Sequence, residues 1–121
     1  MAKSVCILVR RAPYGMIHAA EAVRHINGAV ANGFDTTAVF IADGVYVLKT
    51  KQKEAETGFT NLGNALADAL AKPETRAHIL VHRFSAGMRG LSEKDILPGV
   101  KWIDDAELAE IMADTANLML F

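Results

Sequence analysis

Cysteine is almost absent from this sequence: Cys6 is the single thiol in 121 residues. No disulfide can therefore close within the chain, which agrees with a reducing compartment. Long apolar runs are missing as well. The first one, Val5-Cys6-Ile7-Leu8-Val9, falls far short of a secretory h-region or of the roughly 20 residues that span a membrane. Charge of one sign is also lacking. The formal net charge is -1, leaving no broad electrostatic footprint for nucleic acid or an acidic membrane. Repeats, low-complexity segments and linkers do not occur. The expectation is a cytoplasmic protein with no direct nucleic-acid contact and no membrane association. At 51% hydrophobic, the chain suits one core and is too short for two, so residues 1–121 are expected to form one domain.

What is present alternates between two patterns. Val5-Cys6-Ile7-Leu8-Val9, Thr36-Thr37-Ala38-Val39-Phe40-Ile41, Ala77-His78-Ile79-Leu80-Val81 and Val100-Lys101-Trp102-Ile103 read as strands. Their near-continuous apolar and β-branched character is that of strands covered on both faces. Between the first two, Ala19, Val23, Ile26 and Val30 recur at helical spacing, and Asn32-Gly33 supplies a left-handed stop. Residues 48–58 are rich in Lys and Glu without an apolar period, as in a long loop or a partly helical excursion. Its mixed-sign charge, with Lys49, Lys51 and Lys53 ahead of Glu54 and Glu56, reads as solvated surface. Asn61 can cap an element carrying Leu62, Leu66 and Leu70, stopped by Pro73. After the third strand a loop with Gly87 and Gly90 is expected, then a helical turn near Ser92-Glu93-Lys94-Asp95. Asp104 caps a helix over 105–113, and Asn117-Leu118-Met119-Leu120-Phe121 forms a fifth strand. The whole predicts a three-layer α/β/α domain with a mostly parallel sheet of about five strands.

In such a sheet, ligands gather beyond the carboxyl ends of the strands. Three segments lie there: 10–15, 43–46 and 82–90. They supply Arg10, Arg11, Tyr14, Asp43, His82, Arg83, Ser85, Met88 and Arg89 as cleft candidates. Arg10-Arg11-Ala12-Pro13-Tyr14-Gly15 joins two cations to a helix start, which suits an anion; Pro13 and Gly15 also read as an ordinary tight turn. Neither a Walker loop nor a dinucleotide fingerprint is there. Ser85 near His82 invites comparison with hydrolases, but the Gly-x-Ser-x-Gly elbow is missing. His18, Glu21 and His25 share a helical stripe, yet His18 and His25 stand about 10 Å apart along the axis, too far to share one zinc. No metal or cofactor is expected. Cys6, in mid-strand, reads as a buried and inert thiol. Tyr14, Tyr46, Phe59, Phe84 and Phe121 fall near loops or the terminus, where they could anchor an interface or fill the core.

Ala12-Pro13-Tyr14-Gly15 before a helix, Phe40-Ile41-Ala42-Asp43-Gly44-Val45, and Arg89-Gly90-Leu91 after the third strand give the chain a further character. In their order and spacing it resembles the DsrE/DsrF-like sulfur-relay family, which includes the TusC and TusD subunits of the tRNA-thiolation relay. The resemblance covers essentially the whole length. It implies an α/β fold, association into oligomers and, in active DsrE and TusD members, a persulfide-carrying cysteine in the loop after the third strand. Here that loop, Val81-His82-Arg83-Phe84-Ser85-Ala86-Gly87-Met88-Arg89-Gly90, holds no cysteine, and the thioether of Met88 cannot form a persulfide. The chain is then closest in type to DsrF and TusC: a subunit without carrier thiol, which supports a cysteine-bearing DsrE-like carrier. Two other readings stay open. One is a DsrE-like homo-oligomer binding a small anionic ligand in the cleft; the other is sulfur transfer through Cys6.

Overall fold

The computed structural model describes residues 4–14, 17–50, 65–66, 70 and 77–121. Strand β1 (Ser4–Val9) leads through helix α1 (His18–Ala31) to β2 (Asp35–Phe40), and a 3-10 helix (Ala42–Leu48) follows directly. Strand β3 (Ala77–His82) runs into a short helix α2 (Arg83–Met88), then a 3-10 turn (Glu93–Asp95). Strand β4 (Lys101–Ile103), helix α3 (Asp105–Asp114) and β5 (Leu118–Leu120) complete the order. The strands form one parallel sheet in the order β4-β3-β2-β1-β5. The charged excursion, apart from Leu48, Lys49 and Thr50, and the Asn61 cap lie outside the described residues, as do Gly15 and Phe59.

The unbroken apolar reading of β1 has a direct cause: both of its faces are covered. Val5, Ile7 and Val9 pack with Ala19, Ala22, Val23 and Ile26 of α1, while Cys6 and Leu8 join the opposite cluster, against Leu108 and Ile111 of α3. Chain direction enforces the two layers. The β1-to-β2 crossover and the β4-to-β5 crossover travel opposite ways across the sheet, so right-handed connections put α1 and α3 on opposite faces. Within a layer, large and small side chains alternate. Ala38 lies between Ile7 and Ile79 in register, and Phe40 between Val9 and Val81. Full burial of side chains such as Ile7, Ile26 and Phe40 contributes about 1.5–3 kcal/mol apiece.

The helix ends are set locally. Asp104 Oδ1 accepts the Glu107 N–H at 2.8 Å, and Glu107 Oε1 accepts the Asp104 N–H at 3.3 Å, a reciprocal cap that starts α3. Ser92 and Asp95 form the same device in the 3-10 turn; the two Ser92 bonds hold the Asp95 carboxyl below its usual range. Helix α1 ends at Asn32, whose side chain donates to Gly28 O at 2.7 Å, followed by Gly33 at φ +80°.

Two segments depart from the sequence reading. Residues 83–88 form a helix where a loop was expected, because Ser85 and Ala86 are buried and hold the turn despite Gly87. Residues 42–48 wind into a 3-10 helix that buries Gly44, Val45, Val47 and Leu48, where only a turn at Asp43-Gly44 was expected. Gly44 is there for space. A Cβ on it would stand 2.0 Å from the carbonyl oxygen of Val9, a backbone atom that cannot move aside. Gly44→Ala is expected to cost about 3 kcal/mol or more in a urea unfolding midpoint. Gly87→Ala, with nothing within 4 Å of the added carbon, should be neutral or stabilise by up to about 1 kcal/mol.

Candidate functional site

The carboxyl ends of β2, β3 and β4 are joined by a chain of hydrogen bonds. His82 is the last residue of β3 and is buried. Its Nδ1 lies 2.7 Å from Ser85 Oγ and its Nε2 lies 2.5 Å from Asp105 Oδ1. Ser85 Oγ in turn accepts the Ala42 N–H at 2.9 Å. The Asp105 carboxylate can only accept, so Nε2–H donates to it, and in the neutral ring Nδ1 then accepts the Ser85 hydroxyl hydrogen. Ala42 is the residue held at this junction, and it is left-handed, at φ 50° without being glycine. Such a conformation persists only where neighbours over-determine it. Here the Ser85 hydroxyl below and the Gly44 approach to Val9 beyond fix it.

A second tie runs alongside. Arg89 Nε donates to Asp43 Oδ1 at 3.1 Å, a second guanidinium nitrogen lies 3.0 Å from the same oxygen, and a third donates to Ser85 O at 3.1 Å. Asp43, Ser85, His82 and Arg89, all candidates from sequence, thus meet. The end of β1, just ahead of the segment 10–14, is joined to them through backbone: Ile41 N–H donates to Val9 O at 3.0 Å. Arg10 and Arg11 are exposed there and Tyr14 is half-buried. Arg83 turns outward, its guanidinium carbon 5.4 Å from the centre of the Trp102 ring, a cation–π placement.

Asp105 is the member that sequence reasoning missed. It reads as the first residue of a capped helix, and only the adjacency of β3 and β4 brings it to His82. Its side chain is 83% exposed, so the network runs from a buried floor to the surface. Beside it, Phe84 and Met88 are one helical turn apart on α2, and they are 64% and 69% exposed. Of the other aromatics proposed as anchors, Tyr46 and Phe121 pack against the core, the latter 5.1 Å from the His25 ring.

The serine, imidazole and carboxylate are connected as in a hydrolytic relay, but without the Gly-x-Ser-x-Gly elbow. Ser85 is 7% exposed, and its Oγ, engaged by Ala42 N–H and His82 Nδ1, ties the carboxyl ends of β2 and β3 together. The thiol lies apart from this network. Cys6 is 1% exposed, burial pushes its pKa up, and three strand residues, about 10 Å, separate it from the carboxyl end of β1.

The model of the DsrE/DsrF-like family matches residues 3–121. The chain belongs to that family. The intracellular sulfur oxidation protein DsrF of Allochromatium vinosum is 30% identical, covering 98% of this chain and 96% of that protein. A TusC homolog of Vibrio vulnificus is also 30% identical, over 94% of this chain and 95% of its own. An uncharacterized protein of Methanocaldococcus jannaschii is 28% identical over 95% and 96%. In fold, the crystal structure of the E. coli ychN protein aligns over 100% of both chains with a TM-score of 0.81 at 22% identity.

Ser85→Ala leaves the Ala42 N–H and His82 Nδ1 without their partner and is expected to cost about 1–3 kcal/mol in urea unfolding. Asp105→Asn, at the exposed end, should cost no more than about 1 kcal/mol. In the native protein Cys6 should resist maleimide for hours and react fully once urea unfolds the chain; rapid native labelling would contradict its burial.

Proposed function

We propose that this chain is a non-catalytic subunit of an intracellular sulfur-relay assembly, of the sulfur-oxidation or tRNA-thiolation type, in which it supports a cysteine-bearing DsrE-like partner. The observation that carries the reading is the segment 82–90. No thiol is present in it, and its hydroxyl, Ser85, is locked between Ala42 and His82. A rigid polar floor then lies beneath an exposed apolar pair, Phe84 and Met88, with Arg83 and Asp105 at its margin. That combination suits contact with another protein better than chemistry within this one: apolar anchors at the centre and charges at the rim. The names of the DsrF and TusC relatives support the same assignment.

The rival reading, an anion bound in the cleft of a homo-oligomer, draws less support. Arg89 is occupied by Asp43, and Arg83 lies over Trp102. Sulfur transfer through Cys6 is opposed by its burial.

Two measurements test the proposal together. Intact mass after incubation with polysulfide should show no added sulfur on the folded chain, and a thiol-bearing DsrE-like relative should co-purify with it. Phe84→Ala and Met88→Ala together should weaken that complex by about tenfold or more without changing the fold. Cys6-dependent sulfur gain on the native protein, or no complex with such a relative, would sink the assignment.

A further inference from the structure

Of the sulfur-bearing side chains among the described residues, the thiol is the most enclosed and one thioether the most open. Cys6 is 1% exposed, whereas Met112 is 38% and Met88 69% exposed, and Met119 is half-buried against the core. A thiol reacts with peroxide ahead of a thioether only where solvent reaches it and its thiolate forms. Burial denies Cys6 both conditions, pushing its pKa up and covering its Sγ. Access therefore gives the first reaction to Met88.

The place of Met88 in the fold gives that reaction a consequence. Helix α2 turns Ser85 and Ala86 inward and Arg83, Phe84, Gly87 and Met88 outward. The inward pair holds the helix. Ser85 Oγ is tied to Ala42 and His82, and Ala86 O accepts the N–H groups of Arg89 and Leu91 at 3.1 and 2.9 Å. Phe84 and Met88 belong to neither core cluster of the described residues. A change at the Met88 sulfur thus spares the fold and alters the outer face alone. There the alteration is large. The thioether is flexible, polarizable and apolar, whereas its sulfoxide is polar and chiral and costs free energy when buried without a hydrogen-bond donor. Oxidation removes one of the two apolar anchors that α2 presents.

We infer that Met88 is a reversible modification site, at which oxidation by a peroxide to the sulfoxide releases a partner protein from the Phe84–Met88 face. The inference rests on the docking role proposed above for that face. In the step, the Met88 sulfur attacks one oxygen of hydrogen peroxide. The S–O bond forms as the O–O bond breaks, and the proton of the transferred oxygen passes to the departing hydroxide. Sulfur is oxidised by two electrons, and the peroxide leaves as water. A sulfoxide reductase, drawing two electrons from a dithiol, restores the thioether and releases the oxygen as water. The same contact acts in the other direction: a partner seated on the face covers the sulfur and slows its oxidation.

The test treats the full-length chain alone with hydrogen peroxide, removes the oxidant, and follows each sulfur by peptide mass analysis. Met88 should gain one oxygen several-fold faster than Met112 or Met119, with Cys6 unmodified until urea unfolds the chain. The oxidised chain should keep its unfolding midpoint yet bind a thiol-bearing DsrE-like relative about tenfold or more weakly than the untreated chain. Sulfoxide reductase with a dithiol should restore the affinity. The peroxide effect should disappear in Met88→Leu and persist in Met112→Leu. Excess relative should protect Met88 from peroxide without protecting Met112. Oxidation of Met88 no faster than of Met112, a complex equally tight after Met88 is oxidised, or a peroxide effect that survives in Met88→Leu would overturn this inference alone. Failure of the untreated chain to bind any such relative would overturn it together with the subunit assignment.

Discussion

The contact on which the upper end of the molecule depends is the one between Gly44 and the carbonyl of Val9. With no Cβ in the way, the chain leaving β2 passes directly over the end of β1 and winds at once into the 3-10 helix. That path fixes Ala42 in the left-handed region, directs its N–H at Ser85, and so sets the partner for His82. Asp43, next along the same turn, reaches Arg89. A side chain at position 44 would lift the turn and misplace every later member of the network. The site is thus an outcome of backbone proximity more than of any single polar pair.

That dependence explains how much of the molecule was legible in the sequence. Strand positions came through because each buried strand is apolar along its length. The α1 stop at Asn32-Gly33 and the Asp104 cap came through because their chemistry is local. The five-strand α/β/α arrangement follows from alternation and handedness, and the family resemblance points the same way. What did not come through depends on strand order. Asp105 meets His82 only because β4 lies beside β3, and Arg89 meets Asp43 only because β3 lies beside β2. Residues 42–48 and 83–88 escaped for another reason. Each is short, carries a glycine, and is held helical by burial at the end of the sheet rather than by propensity.

The thiol and the hydroxyl show the same physical principle from two sides. A group becomes reactive when it is exposed and its charged form is favoured. Cys6 lacks both conditions, sealed between β2, β5 and the α3 layer. Ser85 has an imidazole at hand, yet its oxygen is spent on backbone geometry. The residue types needed for chemistry are therefore present, one of them buried in mid-strand and the other hydrogen-bonded on two sides. Around them the side chains of Phe84 and Met88 are turned outward.

The pairing of β1 with both β2 and β5 has a kinetic consequence. One side of β1 is closed by a neighbour a single helix away in sequence. The other waits for a strand near residue 118, as the Asn117 side-chain bond to Ser4 O shows across a separation of 113 residues. Contacts that distant form late, because the intervening chain must lose its freedom before they give anything back. The β1–α1–β2 unit is accordingly the natural early nucleus, and Cys6, buried in the finished fold, stays uncovered on its α3 side until the last crossover docks.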